Sequence, residues 1–357
     1  MAARCWIAFV LGSLLVSGLA GNSAVAAPTL VNERPAAVVG LGDSLVAGDG
    51  AGSYLPATNR HGDFCHRSSA AAIGHTVLPG VRNLTRVNLS CAGATTANVR
   101  LGGVSRNSEA PQAEQLRAVA RRYDVRAVVL TVGVNDIGYA NLVYDCIRAY
   151  LRIAERCATV WTPRIQSRLT ATIPRIIQDI ADIRQVLRDA GYREGDYTFV
   201  LQSYPSPTTG DLRYRAAIRG LLGCPVRADD GNWAKNWVAP EFTAAFARVA
   251  ASTGVRLLDL APALRGREAC ASGLTRAQEW SNGVTVNLAA LRHGLGPNLI
   301  QESAHPNALG QAQFARCLSA FLATSRRAAK CARQPDGNLT AVPTTLSALS
   351  PFPARTV

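Results

Sequence analysis

The sequence predicts an α/β fold in three layers, with a parallel sheet covered by helices on both faces. Continuous apolar runs such as RAVVLTVG at 126–133 are typical of parallel strands that are buried on both sides. They alternate with segments whose apolar residues recur at helical spacing, such as QAEQLRAVARRY at 112–123. Because strands that alternate with helices form βαβ units, this order predicts a parallel sheet between two helical layers.

The elements follow from the same patterns along the chain. The first strand is predicted at 36–41, and a long loop connects it to a helical stretch near 68–75. Further strands are predicted at 86–91, 126–133, 197–204 and 255–260. Further helices are predicted at 112–123, 166–190, 241–253 and 307–323. The polar, Trp-rich segment 224–240 interrupts the alternation, and we interpret it as a loop at the rim of the functional site.

Both ends of the chain are predicted to lie outside the folded domain. Residues 1–26 have a basic start, an apolar stretch and the small residues Ala24-Val25-Ala26, which is the pattern of a secretory signal peptide. The domain then spans 27–332, and the Pro-, Ser- and Thr-rich segment 333–357 is predicted to be a disordered tail. No later segment approaches 18 uninterrupted apolar residues, so we expect a secreted monomer without a stable membrane span.

Cysteine usage and charge limit the classes of protein further. If Cys5 is removed with the signal, eight cysteines remain, and an even count in an exported chain predicts four disulfides. A zinc site is the alternative, but the sequence has no C-x-x-C pair and no histidines at ligand spacing from the cysteines, so we expect no metal. The net charge of +14 would suit a nucleic-acid partner. The arginines are spread singly along helical stretches, however, and we predict no nucleic acid as partner.

Residues that suit nucleophilic catalysis stand at the ends of three predicted strands. Ser44 follows the strand of VVGLGDSLVAGDG (38–50), Gly93 follows the strand at 86–91, and Asn135 follows the strand at 126–133. The carboxyl ends of parallel strands meet at one edge of a sheet, so these residues should converge. His305 precedes the last helix, where Pro306 and Asn307 would anchor it as a general base.

Each of these residues also has a purely structural interpretation. Ser44 and Asn135 would serve as helix caps, Gly93 would only permit a turn, and His305 would be an ordinary surface histidine. Their order along the chain favours catalysis, because a nucleophile, two oxyanion donors and a base rarely occur together by chance. Ser44 lacks the glycine of a GxSxG elbow two positions later, where Val46 stands, and this argues against an ordinary α/β-hydrolase.

The chain resembles the SGNH hydrolases of the GDSL lipase/esterase group, with an SGNH/flavodoxin-like fold. It is similar in particular to secreted actinobacterial members, which share DGAGSYLPATN (49–59) and the Cys65-His66-Arg67-Ser68 stretch. The four motif blocks are Gly42-Asp43-Ser44-Leu45, Cys91-Ala92-Gly93-Ala94-Thr95, Gly133-Val134-Asn135-Asp136 and His305-Pro306-Asn307.

The resemblance implies a role for each of these residues. Ser44 would be the nucleophile and His305 the general base. The oxyanion hole would consist of the backbone amides of Ser44 and Gly93 and the side-chain amide of Asn135. The family's usual Asp, three residues before the histidine, is replaced by Glu302. We favour the Glu302 carboxylate as the group that orients the imidazole, and a backbone carbonyl within 302–304 is the alternative.

The resemblance also implies a disulfide pattern and an activity. It supports the pairs Cys65–Cys91, Cys146–Cys157 and Cys224–Cys270, and proximity in sequence suggests Cys317–Cys331. The implied activity is that of a secreted esterase or lipase that cleaves carboxylic esters through an acyl-serine intermediate, without a cofactor. Its substrate would be an acyl ester, a lipid or an acetylated glycan, so a polysaccharide deacetylase is one alternative. A secreted binding module without catalysis is the other.

Overall fold

The computed structural model describes residues 34–213, 223–285 and 300–349. Seven strands form one sheet in the order β2-β1-β3-β4-β5-β6-β7. All neighbouring pairs are parallel except β6 with β7, which are antiparallel. The strands are β1 (Ala36–Gly42), β2 (Thr85–Asn88), β3 (Asp124–Thr131), β4 (Thr198–Gln202), β5 (Arg256–Asp259), β6 (Ala328–Arg333) and β7 (Leu339–Pro343).

Helices connect these strands and cover the sheet. The shorter helices are α1 (Ser44–Ala47), α2 (Ala72–His75), α3 (Thr96–Val99), α7 (Ala228–Trp233) and α10 (Leu346–Leu349). The longer helices are α4 (Gln112–Arg122), α5 (Tyr139–Tyr150), α6 (Cys157–Asp189), α8 (Ala239–Thr253) and α9 (Ala308–Leu322). Helix α2 packs against α9, while α6 packs against α4 and α8. The three-layer α/β fold predicted from the sequence is therefore confirmed.

The central strands are hydrophobic because both of their faces are covered. Every residue of β1 after Ala36 is buried, and the last five residues of β3 are buried as well. Helices contribute aromatic side chains to the same core, among them Trp161, Phe242, Phe246, Phe314 and Phe321. Continuous apolar strands of this kind fix which residues reach the carboxyl edge of the sheet. That edge carries Ser44.

Two predicted features differ in the structure. Most of the segment 224–240 is helical and not a loop, because α7 and a π-helical stretch, Ala234–Val238, run directly into α8 from residue 228 onward. Part of the predicted disordered tail is ordered: β7 pairs with β6, and Leu339 is buried in the main core. Pro343 is tolerated in β7 because the strand lies at the edge of the sheet. The predicted signal peptide and residues 350–357 lie outside the described residues.

Among the described residues, no helix combines the length and the apolar character that crossing a bilayer requires.

Candidate active site

Ser44 is the first residue of α1, immediately beyond β1. The backbone passes so close to β3 that a Cβ atom on Gly42 would lie 1.8 Å from the Thr131 carbonyl oxygen, so only glycine fits there. Asp43, not Ser44, caps α1, because its Oδ1 atom accepts a hydrogen bond from the Leu45 amide at 3.1 Å. The Ser44 hydroxyl is therefore not needed as the helix cap.

The Ser44 side chain contacts His305. The Oγ atom of Ser44 lies 2.7 Å from Nε2 of His305, although the two residues are 261 positions apart in sequence. The backbone of His305 is fixed by a hydrogen bond, because its carbonyl accepts from the backbone amide of Asn282 at 2.8 Å. Asn307 caps α9 by accepting a hydrogen bond from the Gly310 amide at 3.1 Å. The two residues predicted as nucleophile and base are thus brought together, and the loop that carries the histidine is fixed at both sides.

The second imidazole nitrogen of His305 contacts a backbone carbonyl. Its Nδ1 atom lies 2.9 Å from the carbonyl oxygen of Ser303. The chain turns sharply between these residues, because Ala304 has a φ of +56°, and this turn directs the carbonyl back to the ring. The expected Glu302 carboxylate therefore does not make this hydrogen bond. Burial, with the nearby charges of Asp49 and Glu302, raises the pKa of Tyr54, so the Glu302 charge lies near Tyr54.

Tyr139 supports the same turn, and the sequence analysis did not identify it. Its hydroxyl donates a hydrogen bond to the Ala304 carbonyl at 3.0 Å, and its ring lies edge-on to the His305 imidazole with 6.1 Å between centroids. Burial and the neighbouring Asp43 charge raise the pKa of Tyr139, so its hydroxyl keeps its proton and acts as a donor. The sequence offered only its position four residues after Asn135 as a signal.

The loops that carry Gly93 and Asn135 are bonded to each other and to the Ser44 loop. The Cys91 amide donates to the Gly42 carbonyl at 3.1 Å, and the Asp43 amide donates to the Thr131 carbonyl at 3.0 Å. The Asn135 side-chain amide donates to the Ala94 carbonyl at 2.9 Å. An amide group has two hydrogens, so this bond leaves Asn135 a second one to donate.

Gly93 has a left-handed backbone conformation that its turn requires. Its φ is +71°, and the Arg106 guanidinium lies against it, so a Cβ atom would come within 2.1 Å of that side chain. The Nε atom of Arg106 also donates to the Ala92 carbonyl at 2.8 Å. Arg106 therefore fixes the direction in which the backbone amides of this turn point.

A buried hydrogen-bonded pair connects the ends of β1 and β4. The Tyr204 hydroxyl donates to the Asp43 carboxylate and accepts from the Val134 amide at 3.2 Å. Burial raises the pKa of Asp43 to about 7, because the surrounding core disfavours the charged form. The Asp43 carboxyl group, which caps α1 and contacts Tyr204, therefore titrates near neutral pH.

The DGAGSYL segment (49–55) packs with His66 and contributes to holding the loop that carries His305. His66 Nδ1 lies 3.1 Å from Oδ1 of Asp49, and both side chains are buried. The Tyr54 ring stacks on the His66 imidazole with 4.3 Å between centroids. From this segment, the Gly50 carbonyl accepts a hydrogen bond at 2.8 Å from the side chain of Asn282, the residue that also holds the His305 carbonyl.

Four disulfides brace the fold in the pattern that the sequence suggested. They join Cys65 to Cys91, Cys146 to Cys157, Cys224 to Cys270 and Cys317 to Cys331. The first lies directly before the Gly93 turn, and the second joins the end of α5 to the start of α6.

One group of side chains in the described part of the chain has the spacing of metal ligands. Asp63, Cys65 and Glu109 place their ligand atoms within 4.8 Å of one another. Cys65 is in a disulfide, however, and has no thiolate to offer. Arg67 pairs with the Glu109 carboxylate and neutralises it. These residues form a salt-bridge cluster that does not suit a metal ion.

A cavity of about 170 Å³ opens beside Ser44 and His305. Its wall is mainly apolar and comes from α5, α7, α8 and the loop after β4. Gly93 and Asn135 are not part of this wall. The apolar lining includes Val134, Ile137, Leu142, Val143, Ile147, Trp233 and Phe242. The segment predicted to form the rim of the site does line the cavity, although it is helical.

The fold is of the α/β class, and a contact between a serine and a histidine lies at the carboxyl edge of its sheet. The model of the GDSL-like lipase/acylhydrolase family matches residues 41–313. The chain belongs to this family, and it is a hydrolase that acts on esters.

The chain is similar to several known proteins. Lipase 1 of Streptomyces coelicolor is 25% identical over 311 residues, which cover 84% of this chain and 92% of that protein. The extracellular lipase of Streptomyces rimosus is 23% identical, with a TM-score of 0.49 over 78% of this chain and 95% of that one. Phospholipase A1 of Streptomyces albidoflavus NA297 is 20% identical, with a TM-score of 0.49 over 77% of this chain and 94% of that one.

Proposed function

We propose that the protein is a secreted serine esterase that hydrolyses carboxylic esters through an acyl-Ser44 intermediate. The observation that carries this proposal is the distance of 2.7 Å between Ser44 Oγ and His305 Nε2. A serine hydroxyl is a weak nucleophile until a base accepts its proton, and the imidazole is within reach to do so. The Ser303 carbonyl selects the tautomer that is required, because it accepts a hydrogen bond from Nδ1–H and leaves Nε2 free to act as the base.

The reaction proceeds in two halves. Ser44 Oγ attacks the ester carbonyl carbon while its proton moves to His305 Nε2, and a tetrahedral oxyanion forms. When this intermediate collapses, His305 returns the proton to the alcohol, which leaves, and the acyl group remains on Ser44. A water molecule then attacks the acyl carbonyl as His305 takes its proton, and the acid leaves as Ser44 regains its hydrogen.

The oxyanion would bind between three donors. As the first residue of α1, Ser44 has a backbone N–H without a helical partner, and the Gly93 N–H and the second Asn135 amide hydrogen are the others. Such donors act because they are already oriented when charge develops on the oxygen. The hydrogen bonds that join the three loops support this role, since they hold the donors without any rearrangement during the reaction.

The apolar wall of the cavity favours a substrate with a long acyl chain over one with an acetyl group. An acetyl group would leave most of this surface without contact, whereas a longer chain gains stability from each CH₂ group that it buries. We therefore propose a lipid or long-chain acyl ester as the substrate and rank an acetylated glycan below it. Secretion is supported by the sequence pattern at 1–26 and by the four disulfides.

A series of p-nitrophenyl esters from acetate to palmitate tests this function. We expect kcat/KM to rise from acetate toward longer chains. Ser44→Ala should lower kcat by several powers of ten while Ser252→Ala, an exposed serine on α8, leaves it unchanged. Highest activity on acetate would favour the deacetylase. Failure of a fluorophosphonate to label Ser44 would favour a binding module, which has no reason to activate a serine.

A further inference from the structure

Asp230 and Thr208 are polar residues in the cavity wall, and we refer to this pair as the polar corner. Both residues line the cavity that contains Ser44 and His305. Asp230 is only 1% exposed. Its Oδ2 atom and the Oγ1 atom of Thr208 are buried, and within the described residues neither has a hydrogen-bond partner. Two buried polar atoms without partners in an apolar wall are unfavourable unless a ligand supplies what they lack.

The backbone segments that carry these two residues pack directly against each other. A Cβ atom on Gly231 would lie 2.3 Å from the Thr209 carbonyl oxygen, so α7 and the loop after β4 are in backbone contact. The Gly210 amide also donates to the Asn232 side chain at 3.2 Å. The polar corner is therefore built into the packing of the loop against α7.

One oxygen of Asp230 has a structural role. Its Oδ1 atom accepts a hydrogen bond from the Ala158 amide at 3.0 Å, at the start of α6, where backbone amides have no helical partner. An asparagine would provide the same acceptor. This role explains one carboxylate oxygen and leaves Oδ2, the atom without a partner, unexplained.

We propose that the polar corner binds a hydrogen-bond donor, a hydroxyl or an ammonium group, carried by the acyl chain of the substrate. This inference rests on the proposed function, in which the acyl chain occupies the cavity. Asp230 Oδ2 accepts the hydrogen bond, and Thr208 Oγ1 completes the site. The Trp233 ring also lines the cavity from α7. A carboxylate and an indole ring in the wall of the same cavity favour an ammonium group over a hydroxyl.

Three sets of p-nitrophenyl esters with matched chain lengths test the polar corner: plain chains, chains with a terminal hydroxyl and chains with a terminal ammonium group. At the chain length that reaches Asp230, we expect the full-length enzyme to prefer a donor-bearing ester over the plain one by about ten- to a hundredfold in kcat/KM. Asp230→Asn keeps the acceptor for Ala158 and should lower this ratio at least about tenfold. Asp229→Asn is the matched control, because the Asp229 carboxylate is exposed and pairs with Arg156 at 3.2 Å.

Thr208→Val provides a second variant that leaves the α6 contact intact. It should reduce the same ratio, so the test does not depend on how well Asp230→Asn folds. Equal kcat/KM values for plain and donor-bearing esters at every chain length would overturn the proposal that the polar corner binds a donor. The proposed esterase function would still stand. If the enzyme hydrolysed none of the esters, the proposed function would fail and this inference with it.

Discussion

His305 Nδ1 and the Ser303 carbonyl oxygen lie 2.9 Å apart, so a backbone group orients the imidazole that we propose as the general base. A carbonyl fixes the ring and its tautomer as well as a carboxylate does, but it carries no full charge. In the proposed reaction, the imidazolium that forms when Ser44 attacks would therefore be stabilised by a dipole. In this arrangement the position of the carbonyl depends on the conformation of the 303–305 turn, so we expect the residues that hold this turn to affect the proposed reaction.

Glu302→Gln tests the role of the carbonyl. Because the Ser303 carbonyl holds the imidazole, we expect kcat/KM to fall less than about tenfold, with the loss limited to a partly screened charge. Glu302→Ala should behave alike, and the pH profile of kcat/KM between about pH 5 and 9 should keep its shape in both variants. A loss of several powers of ten, like that seen when the acid of a serine protease triad is removed, would assign the carboxylate to His305 instead.

Tyr139→Phe tests the positioning of the histidine turn. The substitution removes the donor to the Ala304 carbonyl and keeps the ring beside His305, so we expect kcat to fall about three- to tenfold, as the loss of one hydrogen bond predicts. KM should change little, because the hydroxyl holds the turn rather than the substrate. Tyr144→Phe, an exposed tyrosine on the same helix, is the control. A Tyr139→Phe enzyme that differs from the wild type only in KM would show that Tyr139 contacts substrate.

Asn135→Ala tests the oxyanion donor. Removing the amide should lower kcat by roughly 10²–10³ with little change in KM, because the hydrogen bond strengthens as the oxyanion forms. The substitution also removes the bond to the Ala94 carbonyl, so thermal unfolding should be measured alongside the kinetics. If the loss appeared in KM with kcat preserved, Asn135 would be a substrate-positioning residue.

The buried carboxyl group of Asp179 predicts how the free energy of unfolding depends on pH. It is fully buried on α6, and both of its carboxylate oxygens lack a hydrogen-bond partner within the described residues. Burial, with the charges of Asp136 and Asp182, raises its pKa to about 9. Above about pH 4 the Asp179 carboxyl group loses its proton in the unfolded state but keeps it in the folded state. The free energy of unfolding therefore falls as the pH rises from about 4 toward 9.

Asp179→Asn should remove this dependence. Between about pH 5 and 8, the free energy of unfolding of the wild type should fall relative to that of the variant by up to about 1.4 kcal/mol per pH unit. Asp189→Asn, at an exposed position on the same helix, should follow the wild type. Parallel stability curves for the wild type and Asp179→Asn would show that Asp179 ionises normally.

The sequence predicted well those features that depend on local pattern. Apolar strands give the fold, and because parallel strands end at one edge, the loops of Ser44, Gly93 and Asn135 were expected to meet. They do meet, through backbone hydrogen bonds that join the three loops. The contact of His305 with Ser44 followed only from combining the motifs, since the two residues are 261 positions apart.

The features that the sequence analysis missed, or named only as an alternative, depend on backbone conformation or on distant packing. The Ser303 carbonyl reaches the imidazole because Ala304 takes a positive φ, which nothing in the residue type of alanine indicates. The segment 333–357, which contains β7, was predicted to be disordered because it is rich in Pro, Ser and Thr, but the burial of Leu339 and the pairing with β6 outweigh that bias. The burial of Asp179 did have a signal, since it lies on the same face of α6 as Ile176 and Ile183.

The most direct test of the account is to trap the acyl-enzyme. The full-length protein is mixed with a long-chain p-nitrophenyl ester and quenched in acid during the first turnover, and its peptides are mapped by mass spectrometry. We predict one acyl group per molecule, on the peptide that contains Ser44, and no acyl group on Ser44→Ala. Acylation of a different residue, or ester hydrolysis at the wild-type rate by Ser44→Ala, would contradict the assignment of Ser44 as the nucleophile.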